Sequence, residues 1–483
     1  MGVALAIVGR TSAGAVSQQK GRSMRTTSHR KALSLLLVAG LGLAAASCGS
    51  GDNNKPAAQG SAGADAPVTI TVGCEPPKSN PKERKAWEDD VATFKTLHPN
   101  ITIQGKDAFP CINPDTFQAK LAGGAQEDVF YVYYTDVQKI IKAKQAADIS
   151  QYIGSVKAMA DVRPDVQSVF KDGDKTYGVP RNNYNMGLVY NRKLFTQAGL
   201  NPDSPPKTWA EVQEAAKKIA ALGPGYTGYG EYSAGNTGGW HFAASLYARG
   251  GSMVSDDGKT ATFNSPEGKA VLENLKQMRW NDNSMGTKQL LQWEDLMRMM
   301  GSGKTGVMIG APDVVQQVSN DYQGKFEDYG VTAVPESEGK SSLSGGDGYM
   351  FNPKATPEKI KAGLLWLEFE ILTPGKGQFN YERAKTQGRP VGLPIPDLYG
   401  TTAPGKQIVA DRKQFATIPV DHFTSYVDAQ ATITNKLEPP KAQELYAVLD
   451  VAMSAILTRK DADIDKLLSD ATSKCDKILA KNT

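Results

Sequence analysis

The sequence predicts an α/β fold of two lobes, each a mostly parallel sheet flanked by helices. Strand and helix patterns alternate along the chain, the rhythm of parallel strands joined by crossover helices. Length is the second reason. Once residues 1–47 are set aside as a leader, 436 of the 483 residues remain, more than one hydrophobic core usually holds. No internal repeat offers a simpler architecture.

The leader comes first in the chain. His29, Arg30 and Lys31 precede sixteen residues, 32–47, drawn from Leu, Val, Ala, Gly and Ser, and then Cys48. A run this short, with a basic front and a small-residue end, reads as a secretory leader and not as a membrane span. Residues 1–23 are long for such a front, so translation is expected to start at Met24. Ala45-Ala46-Ser47-Cys48-Gly49 resembles a lipobox, with Ala45 where Leu is more usual. Cys48 is therefore expected to carry lipid and hold the chain at the outer face of the cell membrane; plain cleavage nearby is the alternative. Residues 48–67 are poor in apolar bulk and form a flexible tether with a reach of roughly 25 Å. Removing the six basic and no acidic residues of 1–47 from a net charge of +4 leaves about −2, so the basic balance belongs to the leader and implies no nucleic-acid partner.

The body then alternates. Residues 68–73 read as a strand; Asn80-Pro81 opens a helix with Trp87, Val91, Phe94 and Leu97 on one face; residues 101–104 and 129–133 are the next strands. Pro180 lacks an N–H and is expected to end strand pairing, after which Leu188, Val189 and Tyr190 form a short strand. Thr208 and Glu211 make a capping box ahead of Val212, Ala216, Ile219 and Leu222. Ser265-Pro266 and Thr356-Pro357 each place a capping side chain before a proline at the first helical position. The helix over 357–372 is apolar nearly all round and should be buried. Cys74 ends the first strand and Cys111 follows the second, so if those strands are neighbours a disulfide is expected. Cys475 is left as a buried thiol in the last helix.

Several motifs fail on context. Gly301-Ser302-Gly303-Lys304-Thr305 has Arg298 where a phosphate loop needs glycine, and it leads into a strand. Gly223-Pro224-Gly225-Tyr226-Thr227-Gly228 follows a helix and reads as a loop, not a dinucleotide site. With only His29, His98, His241 and His422, and neither a Gly-x-Ser-x-Gly elbow nor a His-Glu-x-x-His pair, hydrolytic chemistry has little to build on. No cysteine or histidine spacing suits a metal, and no cofactor is expected.

Residues 177–219, YGVPRNNYNMGLVYNRKLFTQAGLNPDSPPKTWAEVQEAAKKI, carry a resemblance. So do Phe263-Asn264-Ser265-Pro266-Glu267-Gly268, the Gly303-Lys304-Thr305-Gly306-Val307-Met308 strand entry and Gly345-Gly346-Asp347-Gly348-Tyr349, in that order. Together they resemble the family 1 extracellular solute-binding proteins, the capture subunits of bacterial ABC importers. The resemblance implies a periplasmic-binding-protein-like fold with discontinuous lobes, and chain crossings near 181–186, 342–348 and 388–392. Lobe one would be 68–181 plus 347–389, and lobe two 182–346 plus 390–483. It further implies a monomeric, non-enzymatic receptor that closes on a small solute, a mono- or oligosaccharide, and hands it to ABC permease subunits.

Such a site needs planar polar side chains to hydrogen-bond hydroxyls in pairs and aromatic faces to cover C–H surfaces. Strand C-terminal ends and crossings are where these should lie. From lobe one the candidates are Glu75, Tyr134, Thr135 and Asp136; from the crossings, Asn182, Tyr184, Gly346, Asp347 and Arg389; from lobe two, Trp240, His241 and Asp313. Plainer readings compete: Tyr134 as a cap on the sheet, Asp136 as a cap of the helix starting near Val137, Arg389 as an ion-pair partner. Trp240 stands out, since a tryptophan in a glycine-rich loop has little helical or strand face to serve. Trp87, Trp209 and Trp366 read as core, whereas Trp280 and Trp293 could extend the site. Two other functions are consistent with the sequence: a glycoside-active enzyme using paired carboxylates, and a receptor of the same fold reporting to a sensor kinase.

Overall fold

A computed structural model of the chain describes residues 66–107, 111–112 and 114–481. Met24, Cys48 and most of the tether lie outside the described residues. The strands are β1 (Val68–Glu75), β2 (Ile101–Asp107), β3 (Val129–Tyr133), β4 (Lys171–Asp172), β5 (Lys175–Thr176), β6 (Gly178–Asn185), β7 (Gly187–Asn191), β8 (Thr227–Tyr229), β9 (Thr305–Gly310), β10 (Tyr329–Ala333), β11 (Ser341–Phe351) and β12 (Thr434–Leu437). Among these, one sheet runs β12-β11-β3-β1-β2 with β6 also paired to β11, a second runs β10-β7-β9-β8, and β4-β5 is a small hairpin.

In the first sheet β1, β2 and β3 follow the expected parallel rhythm and β12 is parallel to β11, while β11 runs antiparallel to β3 and β6. β1 pairs in parallel with β2 and β3, and its alternation buries Ile70 and Val72. The helix Pro81–Leu97 between β1 and β2 buries Ala86, Asp90 and Phe94, while Leu97, its last residue, overruns the core and is exposed. Burying Asp90 is tolerable because Arg383 holds both its oxygens. Cys74 of β1 and Cys111, which follows β2, are joined in a disulfide with Cα atoms 4.7 Å apart. Cys475 is free and buried, and burial pushes its thiol up to about 12.

Pro180 does not end the pairing. β6 runs through it, and the ladder steps between Asp347 and Gly348, so that Gly348 faces Pro180 and Asp347 faces Asn182. Arg181 is the extra residue, and this irregularity absorbs the missing N–H. After Met186 the chain enters the second sheet directly as β7. No crossover helix fixes its direction, and β7 runs antiparallel to both β10 and β9; only β8 and β9 are parallel. The second sheet is thus mixed, where a mostly parallel one was expected.

Each sheet has its own core. Ile70, Val72, Phe94, Phe351 and Trp366 belong to the first. On the second sheet, alternate residues feed opposite faces: Leu188, Tyr190, Val307 and Ile309 pack on one side, Val189, Met308 and Val331 on the other. Leu398, Tyr399 and Ile408 pack in the first core, although the boundary read from the sequence put everything after 389 in lobe two. The chain therefore returns to the first core after Leu393, a second-core residue, and leaves it before Ile418.

Candidate functional site

A cavity of about 550 Å³ is bordered by both cores and floored by the strands that cross between them. Tyr133 ends β3, and Tyr134, Thr135 and Gln138 follow in the helix Tyr134–Lys142, forming one wall. The opposite wall is Asn236, Thr237 and Trp240 at the start of the helix Thr237–Ala248, with Gln443 and Tyr446 of the helix Ala442–Thr458. Tyr184 of β6, Ser344, Gly345 and Gly346 of β11, and Glu438 just past β12 make the floor.

Close packing fixes these groups. A Cβ on Gly346 would fall 2.7 Å from the Tyr134 ring, and one on Gly345 2.6 Å from the Tyr184 ring, so both tyrosines lie against bare backbone. Trp240 is helical, not looped as expected. Its helix is held at the N-terminus by the Asp450 carboxylate, which accepts from the Asn236 N–H at 2.7 Å and the Gly239 N–H at 2.8 Å. The Trp240 ring centroid is 6.4 Å from that of Trp293, whose indole donates to Gln317. The buried hydroxyls of Tyr134 and Tyr446 have no hydrogen-bond partner among the described residues.

Among the described residues one carboxyl, that of Glu438, lines the cavity. Glu438 is pushed up to about 7, first by burial and then by the nearby Asp136 charge, against partial relief from the Tyr446 hydroxyl and the Trp240 indole. The Tyr446 hydroxyl lies close enough to this carboxyl to favour its charged form. The Tyr184 hydroxyl is held well above its usual range by burial, then by Glu438, Asp313 and Asp347. Lys142 also lines the cavity but is exposed.

Two sheets with separate cores and an aromatic cavity between them agree with what comparison finds. The family model described as bacterial extracellular solute-binding protein matches residues 78–369, more than half of the chain. The chain belongs to this family. A putative binding protein of Brucella abortus is 24% identical over 272 residues, 56% of this chain, and the chain spans only 63% of that relative's length. The sn-glycerol-3-phosphate-binding periplasmic protein UgpB of Rhizobium meliloti is 42% identical over 79 residues, 16% of this chain and 18% of that one. Among solved structures, the cyclic alpha-maltosyl-1,6-maltose binding protein from Arthrobacter globiformis superposes with a TM-score of 0.67 at 22% identity, covering 86% of this chain and all of that one. The fold is the two-lobed, sheet-and-helix fold of these binding proteins.

For a solute-binding protein of this family, the sequence candidates divide into two groups. Trp240, Tyr134, Thr135, Tyr184 and Gly346 line one cavity together. Asp136 is next to it, acting on Glu438 through its charge, and burial raises its own carboxyl. Asp347 is buried in a two-point ion pair with Arg181, at 2.6 and 2.8 Å, and Asn182 lies opposite it on β6 with an unpartnered Oδ1. Glu75 is paired with Arg84 at 2.8 Å in a separate recess, and Arg389 with Glu83 at 2.9 Å in another. His241 is fully buried with Nδ1 2.5 Å from Glu231, bracing Trp240 from behind. Asp313 opens the helix Asp313–Asp321, is exposed, and does not line this cavity.

Sequence reasoning missed Glu438, Gln443, Tyr446 and Tyr133. Tyr133 was one residue from a candidate. Glu438-Pro439-Pro440 has the composition of a turn after a strand and could have flagged Glu438. Tyr446 sits in an apolar helix and looks like core. Among the described residues no cluster of His, Cys, Asp and Glu could hold a metal, and no helix is long and apolar enough to cross a membrane.

Proposed function

We propose that the chain captures a mono- or oligosaccharide in this cavity and delivers it to an ABC importer, held at the membrane by lipid on Cys48. One observation carries the reading. Aromatic faces of Trp240, Tyr133, Tyr184 and Tyr446 surround the Tyr134 hydroxyl, which has no partner among the described residues, and the Glu438 carboxyl, the pairing of apolar faces and polar points that a sugar ring presents in reverse. Solute bridging both walls would favour a closed form that the permease reads. The discontinuous lobes, with crossings through β6 and β11, would supply the hinge, and the receptor would act as a monomer.

A glycerol-phosphate ligand, suggested by the Rhizobium relative, is disfavoured here by charge. Its phosphate would meet Glu438, with exposed Lys142 as the one cation lining the cavity among the described residues. A thermal-shift screen of saccharides, polyols and glycerol phosphates tests the assignment by mass action. Saccharides are expected to raise the melting temperature, and a response to glycerol phosphates alone would overturn the reading. Turnover of a labelled glycan would instead favour the glycoside-active alternative, and capture of a sensor-kinase ectodomain in place of the permease the signalling one.

A further inference from the structure

We infer that the cavity selects a solute bearing a protonated amine, an amino-substituted sugar or polyol, with Glu438 as its counter-ion and Tyr133, Tyr184, Trp240 and Tyr446 as the aromatic surround. This deepens the saccharide reading and rests on it. The starting point is a carboxyl without a cationic partner. Among the described residues no Lys, Arg or His forms an ion pair with Glu438, whereas Asp347 has Arg181, Glu75 has Arg84, Asp90 has Arg383 and Glu83 has Arg389. Glu438 lines this cavity with no such cation beside it.

Glu438 is half-buried with no cation beside it, and an incoming ammonium offsets the cost of its charge where a neutral ring cannot. The aromatic rings add to the preference, since their faces attract a cation. Asp136 reinforces it, because its charge reaches Glu438 from another element. Burial raises the Glu438 carboxyl toward neutrality, so a bound ammonium would pull it down again and release a proton. The groups that face Glu438 in this exchange are Asp136, Tyr184, Trp240, Tyr247 and Tyr446.

The test is calorimetric titration with pairs that differ by the amine: glucose and glucosamine, galactose and galactosamine, and chitobiose with and without its acetyl groups. At pH 6.5 the amine member is expected to bind about 10- to 100-fold more tightly, an advantage lost in Glu438→Gln. Repeating the wild-type titration in two buffers of different ionisation enthalpy should show proton release, a readout that needs no variant. Equal or tighter binding of the neutral member, an advantage that survives Glu438→Gln, or no proton release would overturn the inference while leaving the saccharide reading intact. If no member of any pair binds, the saccharide reading fails and this inference with it.

Discussion

Glu438 shows how a single residue can carry a measurable consequence. Its carboxyl is raised from the ordinary 4.5 to about 7 in the folded chain. Below pH 4.5 it is protonated whether folded or unfolded and contributes nothing. As pH rises from 4.5 to 7 the unfolded state ionises first, so stability is lost across that window and the full loss is present above pH 7. Glu438→Gln is therefore expected to melt about 1–3 °C higher than wild type at pH 8 and no differently at pH 4, as read by calorimetry. An equal offset at both pH values would mean packing, not charge, explains the change. Neither Glu438 nor Tyr446 was legible in the sequence, for a physical reason. Each is brought to Tyr133 and Tyr184, which lie far earlier in the chain, through the pairing of β12 with β11 and the packing of Ala442–Thr458 on Thr237–Ala248. Trp240 was legible because its glycine neighbours offered no other use for so large a ring. Its reason for lacking a partner face was misread, since Gly238 and Gly239 serve helix packing and not a loop.

That packing is the decisive feature among the secondary-structure elements. A Cβ on Gly239 would fall 2.5 Å from the Tyr446 carbonyl oxygen, so the two helices that carry Trp240 and Tyr446 meet backbone to backbone. Gly239→Ala should force them apart at a cost of about 1–3 kcal/mol and weaken solute binding as well. Denaturant melts and titration on the same sample check both, and a stable variant with altered binding alone would contradict the packing account. The Cys74–Cys111 bridge closes a separation of 37 residues, and reducing it is expected to cost about 4 kcal/mol on the loop-entropy scale. Melts with and without reductant measure that loss. The elements that were legible are those with local causes: the alternation of β1, the Thr208–Glu211 capping box, and the Ser265 and Thr356 caps all appear where the residues put them. The pairing through Pro180 was not legible, because the step in the ladder depends on β11, which lies far along the chain.

Across the whole molecule, two sheets with separate cores share a cavity whose floor is made of the strands that connect them. The two-core division was legible in length and rhythm. The excursion of Leu398 and Ile408 back to the first core was not, since a few apolar residues among turns do not say which core they join. The proposed closure uses this arrangement: a solute touching Tyr134 on one side and Trp240 on the other can be fully enclosed only when both walls approach it. Calorimetric titration of wild type and Trp240→Ala with a saccharide that raises the melting temperature tests this most directly. One solute per chain is expected for wild type, and affinity at least 10-fold weaker, about 1.4 kcal/mol or more, for a variant that melts normally. Equal affinity in the two proteins would contradict the assignment of this cavity as the solute site.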